Sequence, residues 1–253
     1  MTAILKSYTQ PAFKTKFIDS LEDLVAYYAR VSNPGNQHNK ETSKKLIEYL
    51  LKHNHISPFE MVNVVLEIET TRDIARQLLR HRSFSFQEFS QRYSDPTKDL
   101  NFISRDARLQ DKKNRQNSIE TDDEDLKRRW NEKQENILKS VKTTYEWAIA
   151  SGIAKEQARA ILPEGNTESR LYVNGNLRSW IHYCNLRTSK ETQKEHRELA
   201  LECAKAIEPV FPLIMDFVEP EEWNPEIHDN YLYSIDTEKE LEEVLEEVLE
   251  EVL

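Results

Sequence analysis

The sequence predicts a mixed fold, rich in helix with a few strands. Three observations carry that reading: several segments place apolar residues three and four apart, one segment alternates apolar and polar residues, and glycine is scarce. With 253 residues, 38% hydrophobic and 32% charged, and a mean hydropathy of -0.75, the chain can bury the core of one large domain or two small ones.

Residues 20–30 are predicted to form a helix. Ser20 with Asp23 three positions on is a cap signal, and Leu21, Leu24, Val25 and Tyr28 follow helical spacing. The stretch 32–39 is a loop, and a second helix covers about 41–53 with Leu46, Ile47, Leu50 and Leu51 on one face; the stretch 54–58 breaks it. From 61 to 70, Val62, Val64, Leu66 and Ile68 alternate with more polar residues, the period of a half-buried strand. A helix at 72–82 follows, with Ile74, Ala75, Leu78 and Leu79 inward and Arg76, Gln77, Arg80 and His81 on other faces.

The segment 108–135 is densely charged, with Ile119, Leu126 and Trp130 as its sizeable apolar anchors, and is expected to begin as a peripheral loop before joining a surface helix. Helices are predicted at 133–150 and 154–162, separated at Gly152 and ended by Pro163, then a short strand at 170–174 and helices at about 177–186 and 190–207. Residues 219–253 are set apart by charge. They hold fourteen acidic residues and one lysine, a net -13 that leaves the rest of the chain at +3 within a total of -10. Their end repeats Glu-Glu-Val-Leu three times, putting Leu241, Leu245, Leu249 and Leu253 on one helical stripe. The expected organisation is therefore one main domain, 1–218, and an acidic tail, 219–253.

Composition excludes several function classes. No apolar run approaches the roughly 20 residues of a membrane span, and the first ten residues lack signal-peptide character, so a cytoplasmic protein away from the membrane is expected. Two cysteines, Cys184 and Cys203, make neither a disulfide framework nor a four-cysteine zinc site. His53 and His55 have no third ligand at a recognisable spacing, so no metal is expected. Basic residues are interleaved with acidic ones, unlike the broad basic surface of a nucleic-acid binder. Four glycines give no dinucleotide fingerprint and no Walker loop, so a bound phosphate must be held mainly by side chains.

The densest cluster of such side chains is Arg80-His81-Arg82, then seven residues, then Ser90, with Gln87, Glu88, Gln91 and Arg92 around it. Arginine forks donate paired hydrogen bonds to phosphate and stack on planar rings. Taken alone, the triplet could equally be a solvated helix end. The whole segment RHRSFSFQEFSQRYS, however, resembles the signature of the flavin-dependent thymidylate synthases, which is RHR, seven residues, then serine. YLLKHNHISPFE at 49–60, NLRSWIHYCNLR at 176–187, Ala29 to Ser32 and Ala158 to Pro163 match other family motifs in the same order, over roughly residues 20–215. Met61 and His182 depart from residues common in the family, and the 108–135 segment and the tail lie outside the shared pattern.

The resemblance implies an α/β (α+β) fold, a small mainly antiparallel sheet wrapped by helices, in a homotetramer with shared active sites. It implies methylation of deoxyuridine monophosphate to thymidylate, with methylenetetrahydrofolate as carbon donor, FAD as hydride carrier, and NADPH as reductant. Carried over residue by residue, Arg187 matches the arginine beside the uracil ring. Gln77, Arg80, Glu88, Ser90, Gln91, Arg92 and Arg159 match nucleotide-binding positions, and Ser90 reads as a binding hydroxyl because no adjacent base is fixed for it. Ser32, His55, Ser57, Arg80, His81, Arg82, Glu88, Asn176, Leu177, Arg178 and His182 match the flavin-binding set. Two other readings stay open on the residues themselves: a cysteine-dependent thymidylate synthase using Cys184, and an RNA- or partner-binding module built on 80–92 and the acidic repeat.

Overall fold

The computed structural model describes residues 1–13 and 15–218. The acidic tail and its repeat lie outside the described residues. In chain order the elements are β1 (Thr2–Tyr8), α1 (Leu21–Ala29), α2 (Ser43–Lys52), β2 (Asn63–Thr71), α3 (Arg72–Leu78), β3 (Ser85–Glu88), α4 (Pro96–Asp99), β4 (Arg108–Gln110), β5 (Ser118–Glu120), α5 (Glu124–Ala150), α6 (Lys155–Ala158), β6 (Glu168–Asn176), α7 (Leu177–Arg187) and α8 (Lys194–Ile207). The mixed α and antiparallel β class implied by the sequence is what the chain adopts. A four-stranded sheet has the order β1-β2-β6-β3, and β3 runs antiparallel to β6 with Phe86 opposite Val173 and Glu88 opposite Leu171.

The chain divides into two compact units. The first holds Met1–Ile4, Leu66–Asn174 and Leu186–Cys203. Its buried apolar residues include Leu66, Ile68, Ile74, Ala75, Leu78, Phe84, Leu171, Val173 and Leu199, and a further cluster of Tyr145, Ala148, Ala158 and Leu162. The second holds Leu5–Val65, Gly175–Asn185 and the residues from Ala204. Here Val25, Ile47, Phe59, Val62, Val64, Trp180 and Phe211 are fully buried, and the Trp180 indole donates to the Val64 carbonyl at 3.1 Å. That bond gives a buried N–H its acceptor and ties α7 to its neighbouring strand.

Where the code was local, structure follows sequence. Ser20 accepts from the Asp23 N–H at 3.1 Å while the Asp23 carboxylate accepts from the Ser20 N–H at 3.2 Å, a capping box that starts α1 as predicted. Asn54, at φ 56°, turns the chain out of α2 where the break was expected. In β2 the expected alternation is present, with Val64, Leu66 and Ile68 fully buried.

Several boundaries differ. α3 ends at Leu78 rather than 82, because the N–H groups of Arg80 and His81 bond to Gln77 and Leu78, a tightened i to i−3 turn that releases the chain toward β3. The 108–120 stretch is not a loop but a hairpin of β4 and β5. α5 is one helix of 27 residues, starting at Glu124 rather than near 133. Asp123 caps it through the Leu126 N–H at 2.9 Å, and pairs such as Lys127 with Glu124 at 2.8 Å and Arg129 with Asp125 at 2.9 Å support its first turns. The helix expected over 154–162 is four residues of α6 followed by a 3₁₀ turn, Arg159–Ile161. Gly152, at φ 81°, ends α5 in a conformation that favours glycine.

Candidate functional site

The first unit contains every residue of the expected nucleotide set. α3 carries Gln77; the turn after it carries Arg80, His81 and Arg82; β3 ends at Glu88, and Ser90, Gln91 and Arg92 follow in the next turn. Arg159 opens the 3₁₀ turn after α6, and Arg187 ends α7. Pairing of β3 with β6 is what spaces the triplet from Ser90: the Phe89 N–H donates to the Arg170 carbonyl at 2.9 Å, after which the Tyr93 and Ser94 N–H groups both bond to the Ser90 carbonyl.

The most informative contact joins two of the motifs. Arg187 Nε donates to His81 Nε2 at 2.9 Å, across 106 residues of sequence. A guanidinium has no acceptor. His81 Nε2 must therefore offer its lone pair, which makes the ring neutral and places its proton on Nδ1. Arg80 and Arg82 are exposed and form no side-chain ion pair with any described residue, so both forks face solvent with their donors unspent. Gln91 is the reverse case. Its side chain is buried, and its Nε2 has no hydrogen-bond acceptor among the described residues. Buried amide donors are almost always paired, so this one identifies a place where an acceptor belongs.

Glu88 is held differently. It accepts from Ser169 Oγ at 2.9 Å and pairs with Arg72 at 3.4 Å and Arg76 at 3.2 Å. Arg92 pairs with Glu156 at 3.3 Å, both side chains being more than half exposed. Ser90 Oγ accepts from the Arg92 N–H at 3.3 Å. Gln77 bonds to Gln193 and His196 on α8 and the residue before it, at 2.9 and 3.1 Å.

Of the expected flavin set, Arg80, His81, Arg82 and Glu88 lie in the first unit and the others in the second. In the second unit Ser32, His55 and Ser57 are exposed, and the His55 ring lies 6.3 Å from those of Tyr49 and His53. Asn176 Oδ1 accepts from Ser179 N at 2.9 Å and Ser179 Oγ at 2.8 Å, opening α7. Leu177 is fully buried and its N–H is taken by the Val62 carbonyl at 2.8 Å. Arg178 pairs with Glu60, and His182, one turn on, shares its exposed face.

A second polar cluster in the first unit was not anticipated. Arg105 lies 2.8 Å from Asp73 and 3.1 Å from Glu195, Arg108 also pairs with Glu195, and these side chains are largely buried. They line a cavity of about 270 Å³. Burial pushes the Glu195 carboxyl up, but hydrogen bonds from Gln193 and from its own backbone, with Arg105 and Arg108 beside it, outweigh that and hold it below the usual carboxylate value. His196 is fully buried, and burial followed by the nearby Arg187 and His81 pushes its imidazole down to about 3. The sequence did carry a signal for it: His196 stands on the same stripe as Leu199, Ala200, Cys203 and Ile207, which are all buried.

A sequence-family model described as thymidylate synthase complementing protein matches residues 16–213. A flavin-dependent thymidylate synthase from Synechocystis sp. is 50% identical over 200 residues, 79% of this chain and 90% of that protein. A probable flavin-dependent thymidylate synthase of Paramecium bursaria Chlorella virus 1 is 46% identical over 85% of this chain and 97% of its own. The crystal structure of a UMP/dUMP methylase, PolB from Streptomyces cacaoi, bound with 5-Br dUMP, superposes with a TM-score of 0.69 at 26% identity, covering 85% of this chain and 93% of that one.

Proposed function

Because this chain belongs to the flavin-dependent thymidylate synthase family, we propose that it methylates deoxyuridine monophosphate to thymidylate with methylenetetrahydrofolate as carbon donor, FAD as the flavin and NADPH as its reductant. The observation that carries this reading is the Arg187 to His81 hydrogen bond, which links the last motif to the arginine-histidine-arginine turn. Residues 1–218 form the catalytic part and 219–253 an appended tail. The active form is a cytoplasmic homotetramer with shared sites.

The donor set suits the ligands. Two exposed guanidiniums that ion-pair with no described residue, Arg80 and Arg82, match the acceptor-only oxygens of a pyrophosphate in a chain without a glycine loop. The Gln91 amide, which has no acceptor among the described residues, needs one of the kind a nucleotide phosphate supplies. The bound flavin would supply the hydride. The chain's own part is binding and electrostatics. Arg187, oriented by the neutral His81 ring, sets a fixed positive charge beside the pyrimidine and stabilises the negative charge that makes a ring carbon nucleophilic. Arg80, Ser90, Gln91, Arg92 and Arg159 bind and orient the nucleotide, while Glu88 holds Arg72 and Arg76 beside it. Ser32, His55, Ser57, Asn176, Leu177, Arg178 and His182 are the further positions assigned to the flavin.

The test is a visible spectrum of the purified protein after addition of FAD and removal of the excess. Flavin absorbance that is retained, bleaches with NADPH, and recovers on adding methylenetetrahydrofolate and deoxyuridine monophosphate is the expected result. A folded protein that retains no flavin rejects the reading.

A further inference from the structure

Glu195, Gln193, Gln77 and His196 form one hydrogen-bonded line in the first unit, and the chemistry of its first member fixes the orientation of all the others. Glu195 is a carboxylate flanked by two guanidiniums, so it can only accept. Gln193 Nε2 donates to Glu195 Oε2 at 2.9 Å, and that turns Gln193 Oε1 away from the carboxylate. Gln77 Nε2 donates to this Oε1 at 2.9 Å, which leaves Gln77 Oε1 facing His196 Nδ1 at 3.1 Å. An amide oxygen accepts, so Nδ1 must carry a proton. Double protonation is opposed by full burial and by the positive charge of Arg187 nearby, so His196 is the neutral Nδ1–H tautomer.

The consequence falls on Gln77. Reversing its amide would set oxygen against Gln193 Oε1 and an NH₂ group against the His196 N–H, losing two hydrogen bonds and creating two repulsive contacts. After its two bonds within the line, Gln77 keeps one N–H on Nε2 and one lone pair on Oε1.

We propose that Gln193 and His196 are positioning residues that lock the Gln77 amide in a single orientation, so that the incoming nucleotide meets a fixed N–H donor and a fixed carbonyl acceptor. This rests on the reading of Gln77 as a nucleotide contact. Neither positioning residue touches the ligand. Their effect is to remove the alternative orientation, in which donor and acceptor would be exchanged against the same phosphate or base.

Two substitutions separate hydrogen bonding from packing. His196→Leu keeps bulk on the buried stripe but removes the donor, whereas His196→Asn can place an amide N–H where Nδ1 stands. Binding of deoxyuridine monophosphate to the flavin-loaded full chain, measured calorimetrically, is expected to weaken about tenfold in H196L and to stay within about threefold in H196N. The loss should fall on KM for the nucleotide with kcat little changed, since Gln77 would contact the substrate before and during reaction alike. In the unsubstituted protein, nitrogen-15 spectra of the imidazoles should show His196 as the Nδ1–H tautomer from about pH 5 to 8.

H196L binding the nucleotide like the unsubstituted protein, H196N as weak as H196L, or a Nε2–H or doubly protonated His196 would each overturn the proposal. If the unsubstituted protein binds neither flavin nor nucleotide, it is the thymidylate reading that fails, and the imidazole spectra still decide whether the line is ordered as described.

Discussion

Arginines in the first unit meet two fates. In the turn after α3, Arg80 and Arg82 are exposed and ion-pair with no described residue, while Arg105, about twenty residues on, is largely buried against Asp73, Glu195 and the Gly165 carbonyl. The residue type is the same and the formal charge is the same. What differs is whether the donors are already used. A guanidinium largely saturated by carboxylates and neighbouring oxygens serves the fold, since its charge is neutralised and most of its donors are committed; one left open to solvent is ready for an anion that arrives later.

The largest expected effect tests the saturated member. Arg105→Met leaves Asp73 without its 2.8 Å partner and removes one of the two guanidiniums on Glu195, in a largely buried place. Removing one side of a buried pair costs about 3–5 kcal/mol, which denaturant unfolding would measure. Arg80→Ala should change the same measurement by no more than about 0.5 kcal/mol and instead weaken flavin retention. If the two substitutions destabilise equally, exposure has not sorted structural arginines from ligand-directed ones.

Arg187 lies between these extremes, half-buried and hydrogen-bonded to a neutral ring. Under the proposed function, Arg187→Ala should lower thymidylate formation about 10²–10³-fold, the usual consequence of removing one group that stabilises developing charge, with flavin still retained. Turnover by the variant at the unsubstituted rate would remove the charge-stabilising role. Arg187→Lys should recover little, because an ammonium lacks the planar fork that His81 orients.

The line from Glu195 to His196 carries a pH dependence of its own. His196 has its ordinary value of 6.5 when unfolded and about 3 when folded. Between those values the unfolded chain holds a proton that the folded chain refuses, so stability is complete above pH 6.5 and falls as the pH drops toward 3. A loss of several kcal/mol is expected across that window, about 1.4 kcal/mol for each pH unit, and His196→Asn, with no titrating ring, should flatten it. An unchanged acid limb in H196N would assign the loss to the carboxylates alone, beginning nearer pH 4.5.

These contrasts also show what could be read in advance. The capping box of Ser20 and Asp23 and the alternation from Val62 to Ile68 are local patterns, and each sits where the sequence put it. α5 was foreshortened because its first turns depend on an aspartate cap and ion pairs rather than on an apolar stripe. β1 and β3 were missed: β1 shows little burial, and β3 is four residues long and defined by its pairing to β6. Arg105, Gln193, Glu195 and His196 acquire meaning only through partners 29 to 119 residues away, a separation that no window of sequence spans.

The smallest expected effect concerns a residue that proximity in sequence makes suspect. Cys184 stands three positions before Arg187 and would be the nucleophile of a thiolate mechanism. It is fully buried on the inward face of α7, and burial pushes its thiol up to about 12. A nucleophilic cysteine requires the opposite, an accessible sulfur in surroundings that favour the anion. Cys184→Ala should therefore cost about 1 kcal/mol of stability from the small void and leave turnover within about twofold. Abolition of turnover in a variant that still folds and retains flavin would reverse the assignment, because a sulfur that only fills space has no means of stopping the reaction.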